Sequence, residues 1–241
     1  MSRSLRVSLE PAYVLHQFDF RDSSRIVEFL ARDHGRIAAV ARGVRRAGNR
    51  QRGLLQPFQP LLLSWSGREL GTVTGLEAGG ARVPLEGEAV LAGFYLNELC
   101  LRLIAAHDPH PDIFALYVAA LAELAGGNRA AALRRFELGL LDALGYGLNL
   151  AADPGTGEAV DPDARYLFHV DSGPERAARD AGHGLLVAGS SLLAMANGEF
   201  DDREVARDAQ RILRQALDRH LGGRPLKSRD VLREMVSRRK R

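Results

Sequence analysis

Six arginines, Arg36, Arg42, Arg45, Arg46, Arg50 and Arg52, fall within 17 residues, and no acid occurs between Asp33 and Glu69. A guanidinium offers phosphate a planar fork of donors and can also stack on a base, so such a cluster suits the backbone of a nucleic acid, single strands included. Gly43, Gly48 and Gly53 lie among the arginines and predict a flexible loop between two strands, able to follow an irregular phosphate track. The same pattern also suits a solubilising loop. A second basic group closes the sequence, with Lys227, Arg229, Arg238, Arg239 and Arg241, where a solvated tail is the plain alternative. Tyr13, Phe18, Phe20, Phe29, Phe58 and Trp65 share the first segment and are candidate stacking platforms, although each also suits a core.

Catalytic chemistry finds little support. A P-loop needs glycine directly before its Lys-Ser pair, whereas Leu226 precedes Lys227-Ser228 and Pro225 stiffens the approach. Gly155-Thr156-Gly157 lacks the third glycine of a dinucleotide fingerprint and reads as a turn. His107 and His110 flank Asp108-Pro109, a spacing that can hold a metal but reads first as a helix-ending turn. Cys100 is the single cysteine, so neither an internal disulfide nor a multi-cysteine zinc site can form, and its apolar helix predicts a buried, inert thiol. Asp161 with Asp163, and Asp201 with Asp202, read as loop and helix-start acids before catalytic ones.

One further arginine stands out by geometry. On a helix advancing about 100° per residue, Leu133, Phe136, Leu140 and Leu144 share one face, while Arg134 aligns with Leu138 and Leu141 on another. An arginine beside exposed apolar surface can hold a peptide that ends in an aromatic residue and a carboxylate; an arginine stem covering the core edge is the other reading.

These residues need elements to position them. Residues 13–15, 36–40, 61–65 and about 69–77 read as strands punctuated by Gly35, Gly43, Gly53, Gly67, Gly71 and Gly75. Short strands packed into about 75 residues predict a five-stranded OB-type barrel over residues 1–80 rather than a sandwich. Residues 81–241 form a second, α-helical domain, giving an α+β protein. Its helices are expected near 88–106, 112–125, 129–144 and 201–221, the last opened by an Asp201/Glu204 capping box and closed by Gly222-Gly223. Residues 148–185, rich in Asp, Gly and Pro, read as an irregular insertion with one short hairpin near Tyr166, and the chain ends in a basic tail.

At 241 residues, 46% hydrophobic and 26% charged, the chain has the composition of an ordinary globular protein. No apolar run approaches the roughly 18 residues of a membrane span, and residues 1–6 lack a signal-peptide core, so a cytoplasmic location without membrane attachment is expected. The net charge of +3 hides an uneven distribution: +5 over residues 1–80, −8 over 81–223 and +6 over 224–241. Two basic ends around an acidic middle point to a polyanionic partner.

Several segments resemble the RecO family of bacterial DNA repair and recombination proteins, of the gammaproteobacterial type. They are Ala41-Arg42-Gly43-Val44-Arg45, the run from Leu55 to Leu63, Tyr95-Leu96-Asn97-Glu98-Leu99, Leu133-Arg134-Arg135-Phe136-Glu137 with Leu144-Gly145-Tyr146-Gly147, and the run from Leu221 to Arg229. They stand in the family's order across nearly the whole chain. The resemblance implies an N-terminal OB-fold, a helical domain, and a nucleoid-associated mediator that anneals complementary strands. It also implies help in loading recombinase onto DNA coated by single-stranded DNA-binding protein (SSB). The implied partners are single- and double-stranded DNA, RecR, and the acidic, Phe-terminated SSB tail. It maps the family's basic barrel loop onto Arg42, Arg45 and Arg46, and its tail-binding arginine onto Arg134. Members with four cysteines hold zinc after the third helix; residues 148–185 contain no cysteine, so no zinc or other cofactor is expected.

The expected function is therefore non-enzymatic DNA binding and annealing, with Arg36, Arg42, Arg45, Arg46, Arg50, Arg52, Lys227 and Arg229 on DNA and Arg134, Leu138 and Leu141 on the SSB tail. The alternative is an interaction adaptor whose barrel binds peptide rather than DNA. A nuclease or glycosylase would need an acidic or nucleophilic constellation that the sequence does not offer.

Overall fold

A computed structural model describes residues 5–177 and 184–231. Five strands, β1 (Arg6–Phe20), β2 (Ser24–Ala31), β3 (Gly35–Ala41), β4 (Leu61–Ser66) and β5 (Leu70–Ala78), close into a barrel in the order β1-β2-β3-β5-β4. Every pairing is antiparallel except β3 with β5, the strand arrangement of an OB-fold. Alternation drives the closure. In β3, Ile37, Ala39 and Ala41 point inward while Arg36, Ala38 and Val40 point outward; in β4, Leu61, Leu63 and Trp65 point inward. These side chains, with Val14, Val27 and Phe29, form the barrel core.

β1 is far longer than the three residues legible in the sequence. Register shifts between Val7 and Glu10 against β4, and between Val14 and His16 against β2, let one strand coil along two neighbours. β2 has no sequence expectation, because Ile26, Val27, Phe29 and Leu30 show no clean alternation with Arg25 and Glu28. The β2–β3 turn requires glycine: Gly35 has φ +65°, and a Cβ there would lie 1.8 Å from the Asp108 carbonyl oxygen.

The described residues up to Gly126, with those from Leu226 onward, form one compact unit, and Gly127–Pro225 form another. Composition thus changes near residue 80, while compactness changes near Gly126. In the first unit, α1 (Gln51–Leu54) sits in the basic loop, and α2 (Glu88–Leu103) and α3 (Pro111–Ala125) follow the barrel. Pro111 opens α3 at the position where its missing N–H is harmless. Asn97 of α2 binds the β1 carbonyls of Val14 and Leu15 and accepts the Tyr117 hydroxyl of α3 at 2.6 Å, tying both helices to the barrel.

The second unit contains α4 (Arg129–Ala143), β6 (Arg165–His169), β7 (Gly173–Arg176), β8 (Leu185–Ala188), α5 (Gly189–Ala196) and α6 (Arg203–His220). The region expected to be irregular with one hairpin carries a three-stranded antiparallel sheet, β7-β6-β8. Asp153 organises its entry: its carboxylate accepts the Gly155 N–H at 2.8 Å and the Arg176 N–H at 3.0 Å. The backbone donors from Arg176 and Gly155 hold that carboxyl below its usual range. The α6 cap is Asp202, which accepts the Glu204 and Val205 amides, and not Asp201. Asp201 instead accepts the Asn128 amide at 2.7 Å. Among the described residues, no helix is long and apolar enough to cross a membrane.

Candidate nucleic-acid interface

The β1–β2 turn, the end of β3 and the start of β5 border a cleft of about 640 Å³ on the barrel. Phe20, Arg21, Arg42, Arg46, Leu70 and Thr72 line it. Three guanidinium groups therefore face one recess, and Arg21, Arg42 and Arg46 are all exposed. The Arg21 guanidinium lies 5.1 Å above the Phe20 ring, a cation–π contact that holds it at the rim.

The basic loop is ordered locally. Val44 is fully buried in the barrel core, Arg45 N–H donates to the Ser23 carbonyl at 2.9 Å, and the Asn49 amide binds the Gly43 carbonyl at 3.1 Å. The loop is thereby pinned to the β1–β2 turn, which explains how residues 20–24 and 42–46 come to share a site. Arg45 reaches Asp19 at 3.3 Å, and Arg25 shares that carboxylate at 3.1 Å. Its charge is partly balanced, while Arg42 and Arg46 present theirs to the cleft.

The other sequence candidates disperse. Arg36 is half-buried on β3; it pairs with Glu28 at 3.0 Å and donates to the Ile104 carbonyl at 3.1 Å, so it clamps the sheet. Arg50 and Arg52 are exposed at the start of α1 and within it, outside the residues that line the cleft. Lys227 and Arg229 lie on a short C-terminal helical turn. Glu98 of α2 accepts the Lys227 and Ser228 amides at 2.9 Å each and the Ser228 hydroxyl at 2.6 Å, leaving the Lys227 side chain exposed. Arg229 packs over the Tyr95 ring and donates to its hydroxyl. Arg238, Arg239 and Arg241 lie outside the described residues.

The aromatics divide cleanly. Tyr13, Phe29, Phe58 and Trp65 are buried, while Phe18 is 46% exposed and Phe20 intermediate. Phe18 lies opposite Ile26, Ile26 opposite Val40, and Val40 opposite Thr72, so one row of the outer barrel surface runs from Phe18 to the cleft. Phe20, a candidate stacking platform by sequence, does line the cleft, whereas Arg21 carries no local signal, because only a long-range contact brings the β1–β2 turn to the basic loop.

In the second unit, the expectation of an exposed Arg134 beside exposed leucines is not met. Arg134 is 9% exposed and bonds Glu137, itself 1% exposed, at 2.8 Å; Leu141 is fully buried. α6 packs against this helix, and Arg134 and Leu141 are both buried, so the supposed outer face is interior there. Leu138 is the member of that trio that reaches a cleft, one of about 580 Å³ bordered also by Arg135, Asp142, Leu148, Asn149 and Phe200. Arg135 donates to the Gly198 carbonyl at 3.0 Å and keeps a third of its side chain exposed.

Among the described residues, no group of three or more His, Cys, Asp or Glu side chains could hold a metal ion. His110 sits 3.0 Å from Asp108 in the turn before α3. Cys100 is fully buried, and desolvation pushes its thiol well above the ordinary range, away from the nucleophilic thiolate.

Comparison with known proteins agrees with the architecture. The model of the family described as "Recombination protein O N terminal" matches residues 5–80, and that of "Recombination protein O C terminal" matches residues 84–230. A protein of Alkalilimnicola ehrlichii named DNA repair protein RecO is 50% identical over 234 residues, covering 96% of this chain and 93% of that protein. Proteins of the same name from Aromatoleum aromaticum and Methylococcus capsulatus are 43% and 44% identical, covering 98% and 95% of this chain and 99% and 94% of theirs.

Proposed function

The chain belongs to the RecO family of DNA repair proteins, and we propose that it acts without catalysis, binding single- and double-stranded DNA and annealing complementary strands. The observation that supports this most directly is the cleft where Arg21, Arg42 and Arg46 converge on an OB barrel. Two strands repel through their phosphates. A basic surface that neutralises them lowers the barrier to encounter, and base pairing then supplies the driving force, so no nucleotide need be consumed.

In the same reading the protein works with RecR to help load recombinase onto SSB-coated DNA, and its second unit takes the acidic, Phe-terminated SSB tail. Such a tail needs a cation for its carboxylate and an apolar recess for its ring. Arg135 and Leu138, at the cleft on α4, supply that pair, and Arg134 holds the helix through Glu137.

Replacing Arg42, Arg45 and Arg46 together by Ala tests the DNA site. Binding to single strands weakens, and the slope of log affinity against log salt flattens by about 0.7 for each phosphate that the variant no longer neutralises. An unchanged slope in the folded variant would remove the barrel cleft from the DNA site. The exposed Phe18 and Leu70 favour, as a second reading, a barrel that binds peptide; there the wild-type protein would show little salt-dependent DNA binding.

A further inference from the structure

The net-acidic middle of the chain carries 13 arginines, and five of them, Arg203, Arg207, Arg211, Arg214 and Arg219, lie on α6. Spacings of four, four and three residues bring the first four into a sector of about 80° on the helix. Val205, Ala209, Ile212 and Ala216 are buried on the opposite side, so this sector faces outward, and all four arginines are exposed. From Arg203 to Arg214 the helix rises about 16 Å, the axial rise of about five phosphates of one duplex strand.

Three acids share this helix near the stripe: Glu204 in the first turn, Asp208, which is 7% exposed and 3.4 Å from Arg211, and Asp218, 3.7 Å from Arg214. They do not break the run. Arg203 with Arg207, Arg207 with Arg211, and Arg211 with Arg214 are successive like-charged neighbours, which repel one another on a helix. Asp208 and Asp218 partly balance Arg211 and Arg214, yet within the sector four arginines meet one acid, Asp218, an excess of positive charge that a polyanion would relieve. Beside it, Arg211, Arg214, Arg219 and Leu185 border a groove of about 540 Å³. Arg211 also donates to the Leu186 carbonyl at 3.2 Å, fixing the helix to β8 and setting the groove's wall.

We propose that this face of α6 is a second phosphate-backbone site, which binds a nucleic-acid strand independently of the barrel cleft. The proposal rests on the DNA-binding reading above and extends it. Annealing needs the phosphates of two strands neutralised at once, and two separate basic surfaces provide for two strands.

The test changes Arg203, Arg207 and Arg214 together to Gln, keeping Arg211 because it holds β8, with the matching Lys variant as control. On a single strand long enough to occupy both sites, the slope of log affinity against log salt is shallower by about 2 in the Gln variant, at about 0.7 per phosphate. Its annealing rate falls several-fold, and the Lys variant behaves as wild type. Should the Gln variant not fold, phenylglyoxal footprinting of the wild-type protein decides: bound oligonucleotide protects Arg203 and Arg207, and equal modification with and without it overturns the proposal. A folded Gln variant with wild-type slope and annealing overturns it too and leaves the barrel site standing. Failure to bind an acidic, Phe-ended peptide with DNA binding unchanged would assign the stripe to a protein partner and also overturn it. A wild-type protein without salt-dependent DNA binding would overturn both this proposal and the reading beneath it.

Discussion

Neighbouring residues on α4 show how sequence position and role come apart. Arg134 and Arg135 are chemically identical, yet one is sealed against Glu137 and the other borders a cleft. The spacing that aligned Arg134 with Leu138 and Leu141 is correct as helix geometry; which face the protein leaves open depends on what packs against the helix, and that lies elsewhere in the chain. Substituting the two separately tells them apart. Arg134→Ala leaves the Glu137 carboxylate without its 2.8 Å partner and costs about 3 kcal/mol of stability, read as a fall in the midpoint of chemical denaturation. Arg135→Ala gives up the bond to the Gly198 carbonyl, a smaller loss at a side chain one third exposed, and, if the tail docks at that cleft, weakens a labelled Phe-ended tail peptide about ten-fold or more, the consequence of losing a charged hydrogen bond worth about 1.5–3 kcal/mol. Anisotropy giving wild-type peptide affinity in a folded Arg135→Ala protein would move the tail site away from this cleft. The barrel arginines divide in a similar way: the run from Arg36 to Arg52 is visible in sequence, but Arg36 is consumed by Glu28 while Arg21, outside the run, joins the cleft.

Elements were legible in proportion to how far local sequence determines them. α3 starts at Pro111 and α4 stops near Gly145 because those residues carry their own backbone constraints. β2 lacks a clean period, and β1 gains its length from bulges that only the neighbouring strands reveal. The β7-β6-β8 sheet depends on Asp153 reaching the Arg176 amide across 23 residues, a bond no local window contains. At the same scale, α2 meets the C-terminal turn through Glu98. Burial raises its carboxyl pKa, but the Ser228 hydroxyl, the Ser228 and Lys227 amides and Arg102 together bring it below the usual glutamate value. A carboxyl depressed in the folded state stabilises above its unfolded pKa, about 4.3, and that contribution is lost as pH falls through the lower folded value. Docking of the C-terminal turn is thus constant near neutrality and weakens in acid below that value. Hydrogen exchange at the Lys227 and Ser228 amides, compared with Glu98→Gln across this range and corrected for intrinsic rates, checks it: protection in the wild type declines with acid, and the variant starts lower and changes less. Equal protection in both proteins would deny Glu98 this role.

At the scale of the whole molecule, the chain leaves its first compact unit at Gly126 and returns to it at Leu226. The composition break near residue 80 shows where strands give way to helices, but the return is a tertiary event that charge and periodicity do not encode. It joins two segments far apart in sequence, Tyr95-Leu96-Asn97-Glu98-Leu99 and Leu226-Lys227-Ser228-Arg229, through the Glu98 bonds and the Arg229–Tyr95 pairing. Leu226 is 1% exposed and anchors that return. Ending the chain after Pro225 therefore removes a buried leucine, worth about 1.5–3 kcal/mol, together with the bonds that Glu98 accepts. The destabilisation falls on the unit containing the barrel, α2 and α3, because the missing residues belong to it, and the amides of α4 and α6 keep their protection. Native-state hydrogen exchange on the shortened protein reads this directly: faster exchange in α2 and α3, with α4 and α6 unchanged, is expected. Uniform loss of protection across both units would mean that they unfold as one cooperative body, and an unchanged first unit would mean that the C-terminal turn is an appendage rather than part of its core.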